Sequence, residues 1–279
     1  NPDGNWKASP RDPRLMVRRR PDESGGTYYD LLPEGLIKDY DPDVPVAIAP
    51  GKYRLDFNRQ YPANWTPPAR QRGSGDYPFA EPEIKAVGDF YLAHPNIATT
   101  MAYHTSGGIL LRPFADRGDR DFDDRDLELY RALGEIGQAQ TGYPLKSVYE
   151  MFTYDPARPE VGSDLEWVYE SLGILAFETE LWDMQARAGI PVRGTGQMKA
   201  LTDKDREEDG LKLLKWQDEQ LGGSLFVNWH EFNHPQLGEV EIGGWEPKRG
   251  RQNPPASLLE EECKKNFEFT VTRAVVSPR

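Results

Sequence analysis

The chain has 279 residues, 46 acidic and 34 basic side chains, and therefore a formal net charge of −12. This length suits one large domain or two small ones. The acidic balance argues against a nucleic-acid-binding protein, because phosphate binding needs clustered Lys and Arg and the only basic cluster is three arginines at 18–20. No apolar run approaches the ~20 residues of a transmembrane helix. The one cysteine, Cys263, cannot form an intramolecular disulfide.

The first 82 residues are rich in Pro, Gly, Asp and Arg, and they predict long loops around short strands at 45–48 and 53–57. From residue 81 onward, the apolar spacing predicts helices that alternate with strands. Helices are predicted at 81–94, 124–139, 163–171, 202–221 and from 257. Strands are predicted at 97–103, 109–111, 174–181, 225–229, 239–242 and 267–276. The alternation favours an α/β fold.

A segment near the C-terminal end, His230-Glu-Phe-Asn-His234, fits the HExxH pattern of zinc endopeptidases. That pattern requires a helix, which places two zinc-binding imidazoles one turn apart. Here Val227 and Trp229 precede the segment and Pro235 follows it at once. We therefore favour a strand that ends in a turn, and keep the HExxH metalloendopeptidase as a less favoured alternative.

Three other segments carry side chains suited to chemistry. Asn58 and Arg59 lie in a D-x-N-R-x-x-P segment, where a guanidinium and an amide could bind a carboxylate, although a surface turn is the plainer interpretation of that segment alone. His104 ends an apolar strand and is followed by a small-residue turn. Glu178 and Glu180 share one face of a strand that otherwise looks buried, so each carboxylate needs a partner or a chemical role.

Taken in chain order, these segments resemble the M14 zinc carboxypeptidases, the carboxypeptidase A family. The resemblance is carried by NPDG at 1–4, an arginine-bearing segment at 15–20, D-x-N-R at 56–59, the segment 104–114 and the segment 162–182. It implies a three-layer α/β/α fold with a mixed twisted sheet, and zinc-dependent hydrolysis of C-terminal residues from peptides. We expect residues 1–200 to form the C-terminal portion of the catalytic domain and 201–279 to form an extension packed on it.

The resemblance implies catalytic roles for individual residues. His104 would be a zinc ligand, and Glu180 would be the general base on zinc-bound water and then the proton donor to the leaving amine. Arg18 would stabilise the developing oxyanion, with a register uncertain by one or two because two arginines follow it. Asp56 would orient a metal-binding histidine.

The resemblance also implies substrate-binding residues. Asn58 and Arg59 would hold the C-terminal carboxylate of the substrate, which is how an exopeptidase recognises the end of a chain. Tyr154 would cap the substrate, with Tyr149 as the alternative. Leu165 lies where the family sets its side-chain preference, and an aliphatic residue there suggests apolar or aromatic C-terminal residues.

One departure from the family pattern bears on zinc. The family takes two zinc ligands from an H-x-x-E motif upstream of NPDG, and none of the four histidines (His94, His104, His230 and His234) begins such a motif. With one of three protein ligands, we expect zinc binding by this chain to be weak or absent. The favoured interpretation is the C-terminal portion of a longer enzyme, and the alternative is a non-catalytic module that binds peptide C-termini.

The expected partners are a peptide or protein C-terminus and a preceding segment that carries the other ligands, with no nucleic acid and no membrane. The family resemblance suggests a secreted or periplasmic protein.

Overall fold

The computed structural model describes residues 3–33, 35, 37–41, 43–44, 46–49, 54–153, 155 and 157–276. Its strands are β1 (Trp6–Ala8), β2 (Met16–Arg18), β3 (Thr99–Thr105), β4 (Ile109–Arg112), β5 (Leu145–Ser147), β6 (Leu175–Leu181), β7 (Phe226–His234) and β8 (Gly238–Trp245). Its helices are α1 (Pro82–Ala93), α2 (Asp124–Thr141), α3 (Val148–Phe152), α4 (Asp164–Leu172), α5 (Met184–Arg187), α6 (Thr195–Ala200), α7 (Asp203–Leu221) and α8 (Ala256–Val276). Short 3₁₀ turns lie at Phe57–Arg59 and Asp119–Asp121.

The chain divides into two compact units. The first comprises Asn1–Lys52, Met184–Ile190 and Leu201–Arg251, and the second comprises Tyr53–Asp183, Pro191–Ala200 and Gln252–Arg279. The C-terminal helix α8 thus belongs to the unit that contains the larger sheet. The expected boundary near residue 200, between a catalytic portion and an extension, stays a prediction.

The second unit is built on a four-stranded mixed sheet with the order β3-β6-β4-β5. β6 runs parallel to β3 and antiparallel to β4, and β4 runs parallel to β5. Helices cover both faces of this sheet. Leu110 of β4 packs with Phe269 of α8 on one face, where Phe177 of β6 also meets α2. Ile109 and Leu111 point to the opposite face.

That opposite face carries the larger core cluster, to which α1, α3 and α4 contribute. Its helical members include Ile84, Met151, Leu165 and Val168. The sheet therefore lies between a layer made by α2 and α8 and a layer made by α1, α3 and α4. This arrangement confirms the predicted three-layer α/β/α fold with a mixed sheet.

The first unit contains two antiparallel pairs, β1 with β2 and β7 with β8. Its long helix α7 begins at a capping box, in which the Thr202 hydroxyl accepts from the Asp205 N–H and the Asp205 carboxylate accepts from the Thr202 N–H. None of the helices among the described residues is long and apolar enough to cross a bilayer.

Two predicted strands are wrong. The segment 267–276 is the second half of α8, because the face of α8 that packs on the sheet carries polar residues, Glu262, Asn266 and Arg273, together with Phe269. The apolar Phe267 is 65% exposed and points to solvent, so the apolar residues of this segment do not mark the buried face of the helix. The described residues of 53–57 contain no strand, and Phe57 begins the 3₁₀ turn instead.

Candidate active site

His104 and Glu180 lie opposite each other at the carboxyl ends of two neighbouring strands. β3 and β6 are parallel, and their register pairs His104 with Glu180. Because side chains alternate along a strand, Glu178 shares the face of Glu180. The His104 Nε2 atom lies 3.7 Å from the Glu178 Oε1 atom. The predicted metal ligand and the predicted base therefore meet at one edge of the sheet, with a second carboxylate beside them.

Asn58 joins this cluster from the 3₁₀ turn. The Asp56 carboxylate caps the turn by accepting from the Asn58 N–H at 2.9 Å. The Asn58 side chain then donates from Nδ2 to the Glu178 Oε1 atom at 3.0 Å, and its Oδ1 atom accepts from the Asp164 N–H at 2.9 Å. One amide thus links strand β6 to the first residue of α4. The Asp56 carboxylate positions this turn, since its described hydrogen bond and ion pair are both with residues of the turn.

Arg59 follows Asn58 and lies close enough to Glu180 to favour its ionised form. Its guanidinium donates to the Asn58 carbonyl at 2.9 Å and pairs with the Glu160 carboxylate. The Asp56 Oδ2 atom is 3.9 Å from Arg59 Nε. The guanidinium is thus held between the carboxylates of Asp56 and Glu160.

Burial controls the ionisation of the acids in this cluster. It raises the pKa of Glu180, and Glu178 adds to that rise, whereas the neighbouring His104 and Arg59 oppose it. Burial and the charge of Glu178 raise the pKa of Asp164 to about 7. A carboxyl group whose pKa moves toward neutrality can both accept and donate a proton at physiological pH.

The residue at the start of α4 that faces the cluster is Asp164. It lies near the hydroxyl groups of Tyr61 and Tyr91, and near Glu178. Leu165 is only 1% exposed and packs in the core with Trp167. The structure therefore places Leu165 away from the cluster, and an apolar side-chain preference cannot be argued from it.

Two further predicted residues, Arg18 and Tyr154, keep their roles as predictions. Arg18 ends β2 in the first unit, and its guanidinium lies over the Trp6 ring at 4.5 Å. Tyr154 lies outside the described residues. The alternative, Tyr149, is on α3 and its N–H donates to the Phe114 carbonyl.

The HExxH segment is not helical. His230 and His234 lie on β7, as the favoured interpretation predicted, and four residues along a strand span about 13 Å. The His234 Nδ1 atom accepts from the N–H groups of Gln236 and Leu237 in the following turn. These imidazoles do not have the one-turn spacing that a zincin centre requires.

Comparison with known proteins decides the family. A model of the zinc carboxypeptidase family, Peptidase_M14, matches residues 1–199. The chain belongs to the zinc carboxypeptidase family. A human relative, carboxypeptidase A6, is 28% identical over 143 residues, which cover 46% of this chain and 31% of that protein. The chain therefore spans about a third of the length of this curated relative.

Solved zinc carboxypeptidase structures are also similar. Thrombin activatable fibrinolysis inhibitor shows 24% identity and a TM-score of 0.39, over 53% of this chain and 38% of that chain. Carboxypeptidase A from Helicoverpa armigera shows 16% identity and a TM-score of 0.38, over 58% of this chain and 40% of that chain.

A zinc carboxypeptidase centre needs three protein ligands, and the described residues do not supply them. Among these residues, His104 belongs to no group of three ligand atoms close enough to share an ion. Glu178 accepts from Asn58 and lies 3.7 Å from His104, so its carboxylate is engaged in the cluster itself. His104 fits as one ligand, and two further ligands are required to complete a zinc site.

The structure brings to the site two residues to which no sequence pattern assigns a role. Asp164 follows the helix-capping Ser163, and its position as the first helical residue turns its carboxylate toward β6. Glu160 pairs with Arg59 from a loop, where no periodicity marks it. The place of Asp164 beside the capping residue Ser163 was a signal that the sequence offered. No sequence pattern marks Glu160.

Proposed function

We propose that this chain binds the C-terminal residue of a peptide and contributes the proton-transfer group of a zinc carboxypeptidase. The observation that carries the proposal is the convergence of His104, Glu180 and the Asn58–Arg59 turn at the carboxyl ends of β3 and β6. Hydrolysis is proposed for the protein in which two further ligands complete the zinc site.

Each residue of the cluster has a chemical part in this proposal. The Arg59 guanidinium and the Asn58 amide offer donors to a substrate carboxylate, which would take the place of the Glu160 pairing. Glu180 would accept a proton from the attacking water and return it to the leaving amine, a contribution of order 10²–10⁴ in rate. Arg18 is proposed to stabilise the oxyanion, and Tyr154 to cap the substrate.

We further propose a preference for a basic C-terminal side chain. Asp164 is 8% exposed and Glu178 is 4% exposed, and both lie beside the carboxylate-binding Asn58. We propose that the substrate side chain lies against these two buried acids, which would favour a Lys or Arg, because a cation offsets the cost of ionising them. An apolar side chain would add no positive charge beside either acid.

The test uses the full-length gene product, with blocked dipeptides that end in Arg or Phe and an amidated control. We expect cleavage of free-carboxylate peptides only, with the Arg peptide cleaved faster. Arg59→Gln should raise KM about 30- to 150-fold, since a charge-assisted pair contributes roughly 2–3 kcal/mol. Glu180→Gln should lower kcat about 10²- to 10⁴-fold.

His230→Ala is the matched control, since His230 is exposed on β7 and should leave activity unchanged. Equal cleavage of the amidated peptide would contradict carboxylate recognition. Loss of activity in His230→Ala with retention in Glu180→Gln would point to an endopeptidase centred on the HExxH segment.

The second candidate is a non-catalytic module that binds peptide C-termini. It is favoured by the single imidazole that the described residues place at the cluster. This candidate predicts peptide binding that depends on Arg59, without zinc and without turnover. Measuring the zinc content and the turnover of the full-length protein separates the two candidates. For either one we propose a secreted or periplasmic location and no nucleic-acid or membrane partner.

A further inference from the structure

A second acidic cluster lies between α4 and the loop after β4. Asp116, Glu166 and Glu170 each offer a carboxylate oxygen, and the three oxygen atoms all lie within 4.8 Å of one another. Glu166 and Glu170 are one turn apart on α4, so they project from the same side of that helix. Asp116 reaches them from the loop that leaves β4.

Glu166 is the unusual member of this acidic cluster. The spacing of Ser163 and Glu166 matches a capping box, and the Ser163 hydroxyl does accept from the Glu166 N–H at 3.2 Å. The Glu166 carboxylate, however, does not return to the cap. Its Oε1 atom accepts from the Ala115 N–H at 3.0 Å, and its Oε2 atom has no hydrogen-bond partner among the described residues.

The side chain of Glu166 is 0% exposed, so water cannot compensate the free oxygen. A buried carboxylate oxygen without a donor is costly, and it calls for a positive partner or a proton.

We propose that Asp116, Glu166 and Glu170 form a binding site for a calcium ion. Calcium binds carboxylate oxygens at about 2.3–2.6 Å, so two of its ligand atoms lie at most about 5 Å apart. Three oxygen atoms within 4.8 Å of one another are close enough to share one ion after side-chain adjustments of a few tenths of an ångström. The donors are all oxygen, which favours a hard cation over zinc. This proposal does not rest on the proposed peptidase function.

Arg117 is the charge that already faces this cluster. Its guanidinium pairs with the Asp116 carboxylate at 2.8 Å and with the Glu170 carboxylate. It makes no hydrogen bond to Glu166 among the described contacts, so it does not satisfy the free oxygen. Calcium would compete with Arg117 for the carboxylates of Asp116 and Glu170. It would also bind the Glu166 carboxylate, which Arg117 does not contact by a hydrogen bond.

Burial raises the pKa of Glu166 to about 8, and the charges of Asp116 and Glu170 add to the rise while Arg117 opposes it. Calcium binding requires the ionised carboxylate, and it should therefore release a proton. A bound ion would also tie α4 to the β4 loop, and the first residue of α4 is Asp164 of the candidate active site.

The test is calorimetric titration of calcium into the full-length protein freed of metal, supported by terbium luminescence and calcium competition. We expect one calcium site, a rise in Tm with calcium and proton release at pH 7. Glu166→Gln keeps the side-chain shape and should weaken binding at least about tenfold, which corresponds to 1.4 kcal/mol.

Two further variants make the test specific. Arg117→Gln removes the competing charge and should tighten calcium binding about tenfold. Glu170→Gln lies at the surface, where loss of folding is not expected, and it should weaken binding. Glu180→Gln is the matched control, because its carboxylate is in the other cluster and calcium binding should be unchanged. No binding at millimolar calcium, or equal binding in Glu166→Gln and the unmodified protein, would overturn the proposal.

Discussion

The Asn58 amide makes two hydrogen bonds that join separate elements, and its removal should destabilise the protein measurably. Asn58→Ala leaves the Glu178 carboxylate, which is 4% exposed, without its amide donor, and leaves the Asp164 N–H without its acceptor. A hydrogen bond to a charged group contributes roughly 1.5–3 kcal/mol and a neutral one about 0.5–1.5 kcal/mol. We therefore expect the free energy of unfolding to fall by about 2–4 kcal/mol.

The Asn58→Asp variant tests the two hydrogen bonds of the Asn58 side chain separately. The aspartate keeps an oxygen acceptor for the Asp164 N–H, but it replaces the donor to Glu178 with a second carboxylate. Two unit charges about 4 Å apart repel by roughly 4 kcal/mol at an effective dielectric constant of 20. We expect Asn58→Asp to be at least as destabilising as Asn58→Ala, although uptake of a proton by either carboxyl would limit the cost.

The assay is urea denaturation of each variant followed by circular dichroism. Asn228→Ala is the matched control, because Asn228 is exposed on β7 and its loss should change stability by less than about 0.5 kcal/mol. If Asn58→Ala were as mild as Asn228→Ala, or if Asn58→Asp were as stable as the unmodified protein, the amide would not hold the cluster as described.

Two other changes test the packing and the charges. Gly137→Ala would place a Cβ atom 2.5 Å from the Leu110 side chain and 2.7 Å from that of Phe269, so it should lower the unfolding free energy by about 1–3 kcal/mol in urea titrations. Gly196→Ala meets nothing within 4 Å in α6 and should instead raise it by about 0.5–1 kcal/mol; equal signs would refute this packing. The hydrogen bond from an arginine lowers the pKa of Asp218, so that pairing stabilises the folded state above about pH 4 and is lost as the pH falls further. Asp218→Asn should cost less than about 1 kcal/mol at pH 7, and the cost should shrink as the pH falls below about 4, measured as unfolding free energy against pH.

The sequence predicted helices best where the apolar spacing and the capping residues indicate the same helix. Helix α2 is predicted at 124–139 and found at Asp124–Thr141, and the N-terminal signal at Thr202 marks the start of α7. In α2 the buried face is largely apolar, with Leu127, Tyr130 and Leu133, so its period is visible in the sequence. Helix α8 buries polar residues and exposes apolar ones, and the same rule therefore failed over its second half.

The candidate site was predictable in part. The order of the carboxypeptidase-like segments along the chain pointed to His104, Glu180 and Asn58. The structure places these three residues at one edge of the sheet. The position of Asp164 could not be predicted, because it depends on where Asn58 meets the first turn of α4, more than 100 residues later in the chain. Nor could the sequence show that the Glu166 carboxylate leaves the cap for the Ala115 N–H.

The strand order of the mixed sheet also bears on how the molecule folds. β3 and β4 follow one another in the chain, yet β6 is inserted between them after a separation of more than 60 residues. A local hairpin of β3 and β4 would have to open before β6 could enter between them. The sheet is complete only when β6, a segment distant in sequence, pairs with both β3 and β4. Such long-range contacts form slowly. Glu178 and Glu180 arrive on that inserted strand, so the acidic half of the cleft assembles only when the sheet is complete.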